Sequence, residues 1–150
     1  DYMTIFNENL LARPGGFEVL GAPVDVGKIT QDAIVVGTVT DHLTPWQGCY
    51  KTTQLLGGNA EFVLSSAGHV AGLVNPPGNP KAFYFTGPEP GPDPEQWRSQ
   101  AQKHSGSWWE YWVVWASSRS GRKKRASKTL GSLKHPVLAS APGTYIFEEP

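Results

Sequence analysis

The stretch Asp32-Ala33-Ile34-Val35-Val36-Gly37-Thr38-Val39-Thr40-Asp41 decides how this chain folds. Its middle is short, apolar and β-branched, the pattern of a strand covered on both faces in a parallel sheet. We expect a central parallel strand here, ending close to Asp41. Thr44-Pro45 follows as an N-cap and a proline at the first helical position, and Gly57-Gly58 closes the pattern, which predicts a helix from Pro45 to about Leu56. Ala60 to Leu64 reads as a second strand, with Ser65 to His69 as the loop at its carboxyl end. The order is strand, acid-bearing loop, helix, strand, histidine-bearing loop, and it defines an α/β architecture.

Upstream, Tyr2, Ile5, Phe6, Leu10 and Leu11 follow helical spacing until Arg13-Pro14-Gly15-Gly16 breaks it. This predicts a helix beginning at or before residue 1, and a pattern that opens without a cap leads us to expect that something upstream has been removed. Downstream, Asn75-Pro76-Pro77-Gly78-Asn79-Pro80 and then Pro88, Pro90, Pro92 and Pro94 predict a long loop or strap over residues 75–92, until Asp93 caps a short helix. Ser107 and Glu110 form a capping-box pattern, and Trp108, Tyr111, Trp112 and Trp115 share one face of the helix that follows. The simplest role for that aromatic face is core packing; the functional alternative is ligand contact.

The composition narrows the class. With 150 residues and 39% apolar content the chain can bury a single core, and 13 basic against 13 acidic residues leave no global field to steer nucleic acid or an anionic membrane. Seventeen glycines and 13 prolines make loops plentiful. The one cysteine, Cys49, has no intramolecular disulfide partner, which fits a reducing cytoplasm. No apolar run approaches the roughly 20 residues of a spanning helix, so no transmembrane segment is expected. Four histidines and one cysteine show no zinc spacing, so no metal is expected. The only strong charge segregation is the run of seven basic residues from Arg119 to Lys134, most simply a solvated loop; without a nucleic-acid-binding motif, no nucleic-acid partner is expected.

Asp41 and His69 are the candidate reacting groups, because open parallel sheets place chemistry outside the carboxyl ends of their strands. In a nucleophile–histidine–acid relay the imidazole takes the nucleophile's proton and the acid fixes the ring's tautomer. Acid before histidine is the chain order of α/β-hydrolases, whose nucleophile lies upstream of both. An Asp after a strand is equally an ordinary turn former, so spacing alone leaves both readings open. His42 adjoins the acid, where a surface or supporting role is expected rather than direct catalysis, while His104 and His135 are expected to be solvated.

Several separate motifs carry a more specific resemblance. Thr40 to Gln47, Leu55 to Gly58, Phe62 to Ser65, Gly68-His69 and Asn75 to Lys81 resemble the carboxyl-terminal catalytic part of polyhydroxyalkanoate synthases, as do Gly21 to Val26, Gly106 to Trp109 and Ala141 to Tyr145. The resemblance implies the last parallel strands and helices of an α/β-hydrolase fold, with the Asp and His loops in residues 1–75 and a Pro-rich loop, Trp-rich helix and tail in residues 76–150. It implies an acyltransferase that polymerises (R)-3-hydroxyacyl units from coenzyme A thioesters into polyester, releasing coenzyme A as product and needing no separate cofactor. Asp41 and His69 would hold the family's catalytic positions and His42 an auxiliary one. The expected setting is the cytoplasm, at the surface of polyester granules, with homo-oligomers and the remainder of the synthase as partners. The family's nucleophilic cysteine, in a Gly-x-Cys-x-Gly turn, has no counterpart here, and Cys49 lies in a predicted helix, where a small buried apolar role is expected. The chain alone is therefore expected to be inactive and, with a sheet edge uncovered, prone to association. The alternatives are a related esterase or depolymerase, and a noncatalytic aromatic module that binds a polymer.

Overall fold

A computed structural model describes residues 2–148. They fall into two units, one ending at Arg119 and one running from Ser120. The first opens with helix α1 (Tyr2–Asn7) and a separate 3-10 turn at Leu10–Ala12, followed by the two-residue antiparallel strands β1 (Glu18–Val19) and β2 (Ala22–Pro23). The single helix expected over the first dozen residues is thus broken: Asn9 takes a left-handed conformation at φ 49° between its two parts. The expected start at residue 1 lies outside the described residues.

The main sheet has four strands in the order β3 (Ala33–Thr38), β4 (Ala60–Ser65), β5 (Phe83–Thr86), β6 (Gln102–Ser105). β3 and β4 are parallel, as expected, and helix α2 (Trp46–Lys51) with a 3-10 turn at Thr52–Gln54 makes the crossover. β5 and β6 run antiparallel, so the whole is a mixed α/β layer. Among the described residues β3 pairs with β4 alone, and only Gly37 and Thr38 of it are buried, so the expected second neighbour is not supplied by these residues. The N-cap of α2 also differs from expectation. Pro45, which has no polar side chain to cap with, occupies that position, and the Thr44 hydroxyl donates to Asp41 instead.

The predicted 75–92 loop contains β5. Phe83-Tyr84-Phe85-Thr86 is aromatic and β-branched enough to read as a strand, but the prolines on both sides masked it. β6 is polar, with a lysine and a histidine, as suits an outer strand. Helix α3 (Pro94–Gln100) starts where predicted, Asp93 accepting hydrogen bonds from the Glu95 and Gln96 backbone N–H groups.

Alternation along β4 fixes the two faces of the sheet. Phe62 and Leu64 turn to one side with Phe85 and meet Trp46 and Tyr50 of α2 and Trp97 of α3, forming the core. Tyr50 and Trp97 both pack edge-on or tilted against Phe62, at 5.0 Å each between ring centroids. Gly37 is required beneath this cluster, since a Cβ there would lie 2.9 Å from the Phe62 ring. The same aromatic residues pin the Pro-rich segment: Tyr50 Oη donates to the Gly91 carbonyl and Trp97 Nε1 to that of Pro88.

Helix α4 (Trp108–Arg119) serves the other face and, contrary to the core-packing expectation, buries none of its residues fully. Its contacts there are polar at their tips. Tyr111 Oη and Trp115 Nε1 both donate to the Glu61 carboxylate, and burial together with that carboxylate pushes the Tyr111 phenol up to about 12. Arg119, first of the basic run, ends the helix by pairing with Asp32 at 2.9 Å and lying over the Trp115 ring. His104 is not solvated as expected but half-buried, stacked on Tyr84 and bonded to Thr86 Oγ1 at 2.8 Å.

The second unit consists of turns, with a 3-10 turn at Tyr145–Phe147, and exposes every basic side chain from Arg122 to Lys134. His135 is exposed there, as expected. No helix among the described residues is long and apolar enough to cross a membrane.

Trp97, 2% exposed, closes the core from α3. Trp97→Ala should cost about 3–5 kcal/mol of stability, measured as a shift of the urea unfolding midpoint. A shift below 1 kcal/mol would mean that the aromatic cluster is not the core.

Candidate active site

Parallel pairing puts Thr38 of β3 opposite Ser65 of β4, so both strands end at one rim of the sheet. The ladder continues a little past the strands, with the Val39 N–H bonded to the Ser65 carbonyl and the Thr40 N–H to that of Ala67. Asp41 lies three residues beyond Thr38 and His69 four beyond Ser65, which brings the two predicted residues side by side. His69 Nδ1 lies 3.1 Å from Asp41 Oδ2.

The turn that carries Asp41 is built on its own carboxylate. Oδ1 accepts the backbone N–H groups of Leu43 and Thr44 at 2.9 and 3.0 Å, and Oδ2 accepts the Thr44 hydroxyl at 2.8 Å. The Thr38 hydroxyl is a further, longer donor at 3.5 Å. These donors, the Thr44 backbone N–H foremost and then the Thr44 hydroxyl, His69 and the Leu43 N–H, outweigh the opposing cost of burial and hold the carboxyl well below the usual carboxylate range. The side chain of Asp41 is only 7% exposed, whereas that of His69 is 43% exposed.

An ionised carboxylate can only accept, so the proton between the two residues belongs to His69 Nδ1 and the Nε2 lone pair is left open. That is the tautomer a general base needs, and the neighbouring negative charge stabilises the imidazolium formed when it takes a proton. The loop presenting His69 is irregular: Ala67 and Val70, on either side of it, have φ of 75° and 59°. Left-handed backbone is uncommon for a β-branched residue and costs of order 1–3 kcal/mol, so the surrounding contacts must hold it. Gly72 closes the loop against β3, where a Cβ would come 2.3 Å from Thr38 Cγ2.

His42 is exposed and bonds to neither member of the pair among the described residues. Cys49 is half-buried against the core, with Sγ 3.7 Å from the Thr44 carbonyl. Burial and then the charge of Asp41 push its thiol up, the opposite of what a thiolate nucleophile requires, which fits the structural reading of that residue. Among the described residues no group of three His, Cys, Asp or Glu side chains is placed to hold a metal ion. The sequence reading missed Thr44 as an orienting group on Asp41. The spacing Asp-x-x-Thr was there to be read, but Thr44 had been assigned to the helix cap.

A hydrogen-bonded aspartate–histidine pair beyond the carboxyl ends of two parallel strands defines the class: an α/β protein with a carboxylate and an imidazole in contact at the sheet rim. Comparison with known proteins is more particular. No family model matches the chain. It is 42% identical over 146 residues, 97% of its length, to poly(3-hydroxyalkanoate) polymerase 2 of Ectopseudomonas oleovorans, and 41% identical over 148 residues to polymerase 1 of the same organism. It is 36% identical over 139 residues to the poly(3-hydroxyalkanoate) polymerase subunit of Cupriavidus necator. The chain belongs to the poly(3-hydroxyalkanoate) polymerase family. It spans about a quarter of the length of these curated relatives.

Because the folded-state pKa of Asp41 is lowered, its ionisation contributes stability that is fully present above the unfolded value, about 4, and is lost as pH falls through the folded value. The stability difference between the chain and its Asp41→Asn variant should be constant above about pH 5 and shrink progressively below pH 4. Urea midpoints measured across that range check the sign; a difference that grows on acidification would contradict it.

Proposed function

We propose that this chain supplies the acid and the base of an acyl transfer from coenzyme A thioesters to a growing polyester, as the carboxyl-terminal stretch of an α/β-hydrolase-type catalytic domain. The observation that carries the reading is the 3.1 Å contact between His69 Nδ1 and Asp41 Oδ2 at the sheet rim, in a chain whose relatives are named for making poly(3-hydroxyalkanoates). The nucleophile would be a cysteine thiol from a segment outside these 150 residues. His69 Nε2 would take the thiol proton as sulfur attacks the thioester carbonyl, and the imidazolium would return that proton to the departing coenzyme A thiolate. In the second half, the 3-hydroxyl of an incoming or attached unit would lose its proton to the same pair as its oxygen attacks the cysteine-bound acyl group; the acyl–sulfur bond breaks and the departing cysteine thiolate takes that proton back. His69 accepts that proton directly or shares it with Asp41. Coenzyme A enters as part of the substrate, so no separate cofactor is called for.

The proposed setting is the cytoplasmic face of a polyester granule, with further copies of the enzyme as neighbours. The alternative of an aromatic polymer-binding module is less well supported, because Trp97, Trp108, Trp109 and Trp115 all spend their indole N–H groups on this chain's own acceptors. An esterase or depolymerase would use the same pair with water as acceptor, and the names of the relatives favour the polymerase.

The test is a chimera in which this chain replaces the matching segment of the Ectopseudomonas oleovorans polymerase 2. It should release coenzyme A from 3-hydroxyacyl thioesters and accumulate polyester. Asp41→Asn or His69→Ala in that chimera should lower the rate by about 10²- to 10⁴-fold, the usual worth of a positioned proton transfer. Rates within threefold of the parent chimera would sink the assignment. The chain by itself should release no coenzyme A.

A further inference from the structure

The turn that carries His69 is held from the far end of the sequence. After Val70 the chain makes a helix-like turn, with the Gly72 N–H bonded to the Gly68 carbonyl and those of Leu73 and Val74 to the Val70 carbonyl. Its outgoing carbonyls point at the start of α4. Trp108 Nε1 donates to the Gly72 and Leu73 carbonyls at 3.1 and 3.2 Å, and Trp109 Nε1 donates to the Leu73 carbonyl at 2.7 Å. Ser107, fully buried, donates its hydroxyl to the Asn75 carbonyl at 2.6 Å and accepts the Trp109 N–H at 3.1 Å. Three consecutive residues thus direct side-chain donors at one four-residue stretch of backbone more than 30 positions earlier.

These bonds fall where the backbone is least able to hold itself. Val70 at φ 59° and Ala67 at φ 75° flank the histidine, and such conformations persist only where the surroundings over-determine them. The incoming side is fixed just past β3, where the Thr40 N–H donates to the Ala67 carbonyl, and Ser65 Oγ at the end of β4 reaches across the turn to the Gly72 carbonyl at 2.8 Å. The outgoing side is fixed by Ser107, Trp108 and Trp109. Two adjacent indoles are poorly explained as core, since Trp109 remains 39% exposed. Their N–H groups account for their presence better than their rings do.

We propose that Ser107, Trp108 and Trp109 are positioning residues for His69: the start of α4 clamps the histidine turn so that Nδ1 stays on Asp41 and Nε2 stays open. The consequence for catalysis rests on the acid–base reading of Asp41 and His69, but the clamp itself can be read without turnover. The clamp also gives the tryptophan pair a reason to be Trp rather than Phe, because only the indole donates.

The experiment uses the full chain labelled with 15N-histidine, His69 being assigned with a His69→Gln variant, at a pH where the ring is neutral. Nitrogen shifts should report the Nδ1–H tautomer at His69. In Trp109→Phe the ratio of that tautomer to the Nε2–H form should fall roughly two- to tenfold, the range expected for loss of one neutral hydrogen bond, and further in Trp108→Phe/Trp109→Phe. Val114→Ala, at an exposed position of the same helix, should leave it unchanged. Near-ultraviolet circular dichroism identifies variants that keep the core, and if the double variant does not, Trp109→Phe decides alone. An unchanged His69 tautomer in a folded Trp109→Phe variant overturns the clamp. Absence of the Nδ1–H form in the unsubstituted chain overturns the pair on which both this inference and the proposed function stand. In the chimera, the clamp predicts that Trp109→Phe lowers kcat with KM little changed; a change in KM alone would contradict it.

Discussion

Everything at the candidate site depends on the register of one parallel strand pair. With Thr38 opposite Ser65, the strands stop at a common rim, and loops of three and four residues suffice to bring a carboxylate and an imidazole together. A slip of one residue would turn Phe62 and Leu64 away from Trp46, Tyr50 and Trp97, so the core that fixes the register also fixes the chemistry. The site is as rigid as the aromatic cluster beneath it. This explains why a chain so rich in glycine and proline can still hold two side chains at hydrogen-bonding distance. The Pro-rich segment itself is anchored to that cluster through Tyr50 and Trp97.

The sequence made the parallel unit legible because its signals are local: a β-branched run, a proline-started helix and a second apolar run. Asp41 and His69 could be paired from topology alone, since reacting groups gather at strand ends whatever their distance in sequence. The antiparallel half was not legible for two different reasons. β5 carries a strand's composition, but its four residues sit among prolines that argue for loop, while β6 has no apolar residue at all and is a strand only because β5 offers it a ladder.

The tryptophans show a different limit. Periodicity put Trp108, Tyr111, Trp112 and Trp115 on one face and suggested a core, yet the structure uses them largely as hydrogen-bond donors, three of the four directing N–H or O–H groups at acceptors on the sheet or on the histidine turn. A hydrophobicity pattern counts the ring and overlooks the polar tip. Glu61, half-exposed on β4 beneath α4, is the counterpart that a pattern of apolar residues cannot predict. His104 was misjudged for the same reason, since its stacking on Tyr84 depends on a strand the sequence did not disclose.

The division of labour between the two loops follows from what each is made of. The Asp41 turn is held by its own residues: its largest stabilising contribution comes from the Thr44 backbone N–H, so the carboxylate stays ionised whether or not His69 is present or protonated. The His69 turn draws on its own backbone bonds and on Ser65 Oγ, but also on distant residues. It contains two residues in left-handed backbone, a glycine with no room for a side chain, and carbonyls that find their donors in a helix more than 30 residues away. A self-supporting acid beside a partly externally supported base means that changes at those distant donors reach the site through the histidine side. Substitutions in α4 and in the strap around Asn75 should therefore act on the histidine turn first, whereas those in α2 act on both loops together through the core.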